Sequence, residues 1–172
     1  MSGPRMARIA VFAALVAVLG LTPAISVPGF SVPITAQTLG VMIAGLMLVP
    51  VEAFLSVALF VGLVAAGLPL LSGGRGGLTV FTGPSAGFIL GFPIAALATA
   101  LIVAALTRLP GARSRWGEAM AFFSAAALGG IVVLYCIGIP VGAAVSGIPL
   151  DKFFHASMTF VPGDLLKAAA AT

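Results

Sequence analysis

An acid and a base stand inside the last apolar stretch of this chain, in Pro162-Gly163-Asp164-Leu165-Leu166-Lys167. Ionisable side chains at membrane depth are costly and usually face a bundle interior or a cavity, which makes them candidates for a functional site. Three residues apart, Asp164 and Lys167 share one helical face. The two could together meet a small polar ligand with an anionic end. They could equally form an internal salt bridge, with Asp164 complementing the dipole of a helix that starts at Pro162 and Lys167 neutralising it or snorkelling.

Further polar groups could join them. Arg75 lies in Ser72-Gly73-Gly74-Arg75-Gly76-Gly77, where glycines permit close backbone approach, Gly77 included. Its guanidinium could hold a carboxylate through two parallel hydrogen bonds; the plain alternative is a solvated loop charge or a headgroup contact. Thr35, Gln37 and Thr38 bring three polar side chains to the start of the second apolar stretch. Either threonine could be a helix N-cap, whereas the Gln37 amide offers both donor and acceptor to a ligand. Ser85, in Gly83-Pro84-Ser85, could cap the fourth helix. Tyr135 is the sole tyrosine, either a core ring or a hydroxyl for the site.

Motifs of catalysis are absent. No Gly-x-x-x-x-Gly-Lys-Ser/Thr occurs, and the glycine-rich stretch around Arg75 lacks the strand-helix context of a phosphate cradle. The lone His155 has no second His or Cys near it in sequence, so it is expected to be a solvated loop residue and not a metal ligand. Neither an enzyme, a cofactor nor a metal is expected.

The elements that position these residues follow from composition. Of 172 residues, 61% are hydrophobic and 7% charged, and mean hydropathy is +1.27. A soluble domain carries about 25% charged residues, so this is an all-α integral membrane protein. Its length suits a single transmembrane domain over residues 1–172. The pI near 10.3 does not mark a nucleic-acid binder, because the bases sit at segment ends, where they set topology. Cys136 lies in an apolar run and is expected to be inert core.

Six apolar stretches can be read: Ala7–Ile25, closed by Pro28-Gly29; Gln37–Val49, closed by Pro50; Ala53–Leu68, closed by Pro69; Ala86–Leu106; Glu118–Ile139; and a last one that starts between Phe153 and Pro162. The second and third are short of the roughly 20 residues of a spanning helix and could form a tight hairpin. From Pro162 only eleven residues remain, so the sixth helix either starts earlier and kinks there or continues in a natural chain longer than Thr172. The first stretch resembles a signal peptide but has no small-x-small cleavage pattern, and is expected to be a retained helix.

Arg5 and Arg8 precede the first stretch, and Arg108, Arg113 and Arg115 link the fourth to the fifth. With six spans the positive-inside rule makes that side, and both termini, cytoplasmic, with Trp116 at the interface. The outer side then carries Ser26–Ala36, Pro69–Ser85 and Pro140–His155, and the candidate site lies beneath them. On the first helix Ala10/Ala14 and Ala13/Ala17 form small-xxx-small pairs, which let another helix approach closely, from this chain or from another protein.

Three stretches taken together resemble the BioY family, the biotin-specific substrate-binding (S) components of energy-coupling-factor (ECF) transporters: VPITAQTLGV from Val32 to Val41, GGLTVFTGPSAGFILG from Gly76 to Gly91, and FVPGDLLK from Phe160 to Lys167. Ala86 stands where the pattern usually has glycine. The resemblance implies a six-helix bundle in a bacterial cytoplasmic membrane, surrounded by lipid, that captures biotin from outside at Asp164, Lys167, Arg75, Gln37, Thr35, Tyr135 and Gly77. It also implies that Ala10, Ala13, Ala14 and Ala17 dock a transmembrane coupling subunit attached to two ATPase subunits. Competing readings are a self-sufficient, ion-coupled secondary transporter of a small polar metabolite, and a purely structural membrane subunit.

Overall fold

A computed structural model of the chain describes residues 3–22, 35–109 and 114–172. Its elements are α1 (Gly3–Gly20), α2 (Gln37–Met47), α3 (Pro50–Ala65), a 3-10 turn (Leu78–Thr82), α4 (Ala86–Leu106), α5 (Arg115–Ala127), a π-helical segment (Leu128–Val133), α6 (Leu134–Ser146), α7 (Leu150–Met158) and α8 (Val161–Ala170). No strand occurs among the described residues; an isolated bridge pairs Leu71 with Arg75. Three helical stretches are long and apolar enough to cross a membrane: Gly3–Gly20, Ala86–Leu106, and the continuous run Arg115–Ser146.

α4 is the centre of the bundle and packs on α2, α3, α5 and α6. Lipid offers no hydrophobic drive between helices, so close approach through small residues must supply the contact energy. The α4–α6 crossing shows this: a Cβ on Gly87 would collide with the Gly138 carbonyl, and one on Gly138 with the Phe88 ring. Val11, Val18, Leu90, Leu101, Val132 and Leu166 face outward, a surface suited to hydrocarbon and not to water.

The two ends of the bundle differ in chemistry. At one end Glu52, in the first turn of α3 and 2% exposed, accepts from Arg5 Nε at 2.9 Å and from Arg8 Nε and Nη2 at 2.9 Å. By sequence those arginines are expected to set topology; the structure shows that they clamp α1 to α3. At the other end of α1, Gly20 lies so close to the Leu70 carbonyl and the Gln37 amide that a Cβ would clash with both. α2 and α4 both start at this second end, below the loop that joins α3 to α4.

Several expected boundaries move. Pro140 does not end the fifth stretch: the helix runs through it to Ser146, stops at Gly147 in the left-handed region (φ 70°), and Pro149 follows. Proline is tolerated inside membrane helices because neighbouring helices and local backbone adjustment satisfy the freed carbonyl, so the true stop signal is the glycine-then-proline pair. The expected outer connection Pro140–His155 therefore shrinks to residues 147–149. His155 sits on α7, exposed, with Nδ1 2.7 Å from the Asp151 carbonyl, and not in a loop. The sixth stretch is two helices, α7 and α8, broken at Thr159 and Phe160 just ahead of Pro162. Pro50 opens α3 at its first position, where its missing N–H costs nothing. α1 ends at Gly20; Pro28-Gly29, most of the Ser26–Ala36 connection and Arg113 lie outside the described residues. Cys136 is exposed and not core: its neighbours Leu134 and Tyr135 take the buried face of α6, which turns position 136 outward. Trp116 is 82% exposed at the start of α5.

Candidate functional site

The second end of the bundle holds an open cavity lined from α2, the α3–α4 loop, α4, α6 and α8. Its floor is a four-residue polar network. Tyr135 Oη donates to Asp164 Oδ2 at 2.6 Å. Thr38 Oγ1 donates to Asp164 Oδ1 at 2.9 Å. Lys167 Nζ donates to Asp164 Oδ1 at 2.7 Å and to Thr38 Oγ1 at 2.9 Å. Asp164 is 3% exposed, and a buried charge is tolerable only when paired and hydrogen-bonded in this way.

The local sequence explains the arrangement. Phe160 is the N-cap of α8 and Pro162 fills its first turn, so Asp164 and Lys167 lie one turn apart on the inward face. No side chain caps that helix, so the Asp164 carboxylate is spent on Tyr135, Thr38 and Lys167 and not on the amides of its own first turn. α2 begins without a side-chain cap as well; its N-cap is Ala36, which removes the capping role from Thr35 and Thr38. Ser85 is at the N-cap of α4 and makes no cap hydrogen bond; it lines the cavity instead.

Rings form the walls. Phe88 meets Tyr135 edge-on (centroids 5.7 Å, 86°) and Phe160 at 6.4 Å and 73°, geometries favoured by the ring quadrupole. Phe92, Ile89, Leu71 and Leu134 complete an apolar lining. Above it, Gln37 is 3% exposed and directs Nε2 at the Leu70 carbonyl, 3.4 Å away. Arg75 is exposed, with Nε donating to the Ser72 carbonyl at 3.1 Å. It lines this cavity and also an adjoining groove. Thus Asp164, Lys167, Arg75, Gln37, Thr35 and Tyr135 come to one cavity. Gly77 does not line it: with φ 81° it precedes the 3-10 turn, and its N–H donates to the Val64 carbonyl at 2.8 Å.

The alanines of α1 separate into two faces. Ala13 is 3% exposed and packs into the bundle, and Ala17 is half-buried against the core. Ala10 and Ala14 face outward.

The BioY family model matches residues 1–172. The chain belongs to the BioY family. It is 46% identical over 162 residues to "Biotin transporter BioY" of Rhizobium etli, across 94% of this chain and 86% of that one. It is 48% identical over 166 residues to "Probable biotin transporter BioY" of Bacillus subtilis, across 96% and 85%. Among solved structures it resembles the S-component for biotin from an ECF-type ABC transporter, a crystal structure at 2.1 Å, with TM-score 0.87 and 28% identity, over 99% of this chain and 90% of that one.

Within this BioY chain the sequence argument gave Thr38 a specific role only as a cap, and it passed over Phe88, Phe92 and Phe160. Phe88 and Phe160 lay inside the very stretches that carry the resemblance, but an aromatic in an apolar helix gives no local sign of whether it lines a cavity or fills a core. Thr38 could have been singled out only by knowing that α2 and α8 meet.

Proposed function

We propose that this protein captures biotin in the cavity described above, as the substrate-binding component of an ECF transporter that takes the vitamin up. It is a transport component and not an enzyme. The observation that carries the reading is the floor network, whose unused hydrogen-bonding capacity matches a cyclic urea. An ionised carboxylate has about four acceptor sites. Oδ1 of Asp164 already takes two donors and Oδ2 one, which leaves one site for a ligand N–H. Lys167 uses two of its three N–H donors, which leaves one for a ligand carbonyl. An N–H beside a C=O is what a ureido ring presents. The second ureido N–H then turns to the Tyr135 oxygen or the Gln37 carbonyl.

The thiophane ring rests against Phe88, Phe92 and Phe160, and the valerate tail extends to Arg75, whose guanidinium meets the carboxylate. Six traverses of a bacterial cytoplasmic membrane, with both termini inside, complete the proposal, and residues 1–172 act as one domain. Arg5, Arg8, Arg108 and Arg115 at the expected inner side support that orientation. The outward alanines Ala10 and Ala14 serve a transmembrane coupling subunit that carries two ATPases; Ala13 and Ala17 serve the bundle.

Calorimetry with biotin on detergent-purified protein tests the reading. Saturable one-to-one binding that survives in the absence of any other subunit is expected. No heat and no thermal stabilisation at millimolar biotin would sink it.

A further inference from the structure

Resting on that ligand assignment, we infer that Thr38 is a positioning residue whose hydroxyl relay orders the donor and acceptor with which the cavity floor reads the ligand. Its geometry is specific. Thr38 has one hydroxyl proton, and that proton is committed to Asp164 Oδ1 at 2.9 Å. The oxygen can then face Lys167 only as an acceptor, and Nζ donates to it at 2.9 Å. Lys167 is tied at the same time to Asp164 Oδ1 at 2.7 Å. The two acceptors, one on α2 and one on α8, pin Nζ to the floor and so restrict the directions that its remaining N–H can take. Without the hydroxyl, a lysine held only by the carboxylate one turn away would rotate about that single contact. Asp164 Oδ1 would also regain an open acceptor site.

Thr38 is thus the one floor residue that bonds to both members of the charged pair while carrying no charge itself. It reaches them from α2, across 126 residues of sequence to Asp164 and 129 to Lys167. Its role is to keep Lys167 aimed as a donor, so that the floor accepts a ligand carbonyl between its charges and rejects a ligand that offers a further cation there.

Two substitutions separate this role from simple packing. Thr38→Val keeps the shape and deletes the hydroxyl; Thr38→Ser keeps the hydroxyl and deletes the methyl. Both are titrated with biotin and with 2-iminobiotin, in which the ureido carbonyl is replaced by a protonated imino group, and both are melted to confirm folding. The relay predicts that Thr38→Val loses about 10-fold or more in biotin affinity, because a misaimed Lys167 forfeits its charged hydrogen bond to the ligand carbonyl. It also predicts a rise in the 2-iminobiotin-to-biotin affinity ratio, and Thr38→Ser within about threefold of the parent on both ligands. A packing role predicts the reverse order, with Val tolerated and Ser impaired, and no change in the ratio. Parent-like affinity and an unchanged ratio in a folded Thr38→Val overturn the proposal while leaving biotin binding intact. Absence of biotin binding in the parent protein overturns the ligand assignment itself.

Discussion

Tyr135 and Asp164 are joined by a 2.6 Å hydrogen bond that ties the middle of the long α5–α6 run to the first turn of α8. The bond is buried, and Phe88 holds the Tyr135 ring edge-on. It makes the acid part of a pre-organised floor and not a free side chain waiting for a ligand. A ligand bound there would not have to build the network, only to use the positions it leaves open.

Asp164→Asn is expected to lower biotin affinity roughly 10- to 150-fold, the equivalent of a charged hydrogen bond. The amide also turns a donor toward a site already ringed by the donors of Tyr135, Thr38 and Lys167, so the melting temperature should fall as well. Tyr135→Phe removes one donor and leaves the charged pair intact; its affinity loss should be clearly the smaller. Titration and melting of both variants check this, and parent-like affinity in Asp164→Asn would remove Asp164 from the site.

Arg75→Ala should weaken biotin about tenfold, as expected for the loss of a charge-assisted contact, while the methyl ester of biotin, already without the negative charge, should change by less than about threefold. A comparable loss on both compounds would show that Arg75 supports the loop and not the carboxylate. The Ser72 carbonyl contact makes that outcome a real competitor.

Ala14→Leu and Ala13→Leu should part company. Ala14 is exposed, so a larger side chain there points away from the described core. Biotin binding should be retained while ATP-dependent uptake with the coupling subunits falls. Ala13 is 3% exposed, and overpacking it should lower stability by about 1–3 kcal/mol. If Ala14→Leu leaves uptake unchanged in cells that carry the coupling subunits, the outward alanines are lipid contacts only.

Orientation is tested with a single cysteine. In a Cys136→Ala background, Arg108→Cys in intact cells should resist an impermeant maleimide and react only after permeabilisation, whereas Thr79→Cys, in the loop over the cavity, should react at once. Reaction at position 108 in intact cells would invert the topology and place the cavity on the inner side.

Much of the protein is legible in the sequence. Replacing the usual quarter of charged residues by 7% leaves lipid as the only compatible solvent. Within lipid, backbone polar groups must be satisfied internally, so helices follow. That is why the span at about Ala86–Leu106 is legible, and why Asp164 and Lys167 stand out: their desolvation cost is a property of residue type and setting, visible one position at a time. What the sequence could not decide was every matter set by how two helices meet. Pro140 looks like a stop, yet the helix continues through it and ends only at Gly147. Ala13 and Ala14 are chemically identical neighbours, and only docking on α2 and α3 turned one inward and the other out. Thr38 looks like a cap; it became a partner of Asp164 and Lys167 because α2 lies beside α8. Hydrophobicity and helix periodicity are local and survive in the one-dimensional text. A hydrogen bond between residues more than a hundred positions apart depends on the helix crossing that brings them within 3 Å, and that crossing exists only in the packed bundle.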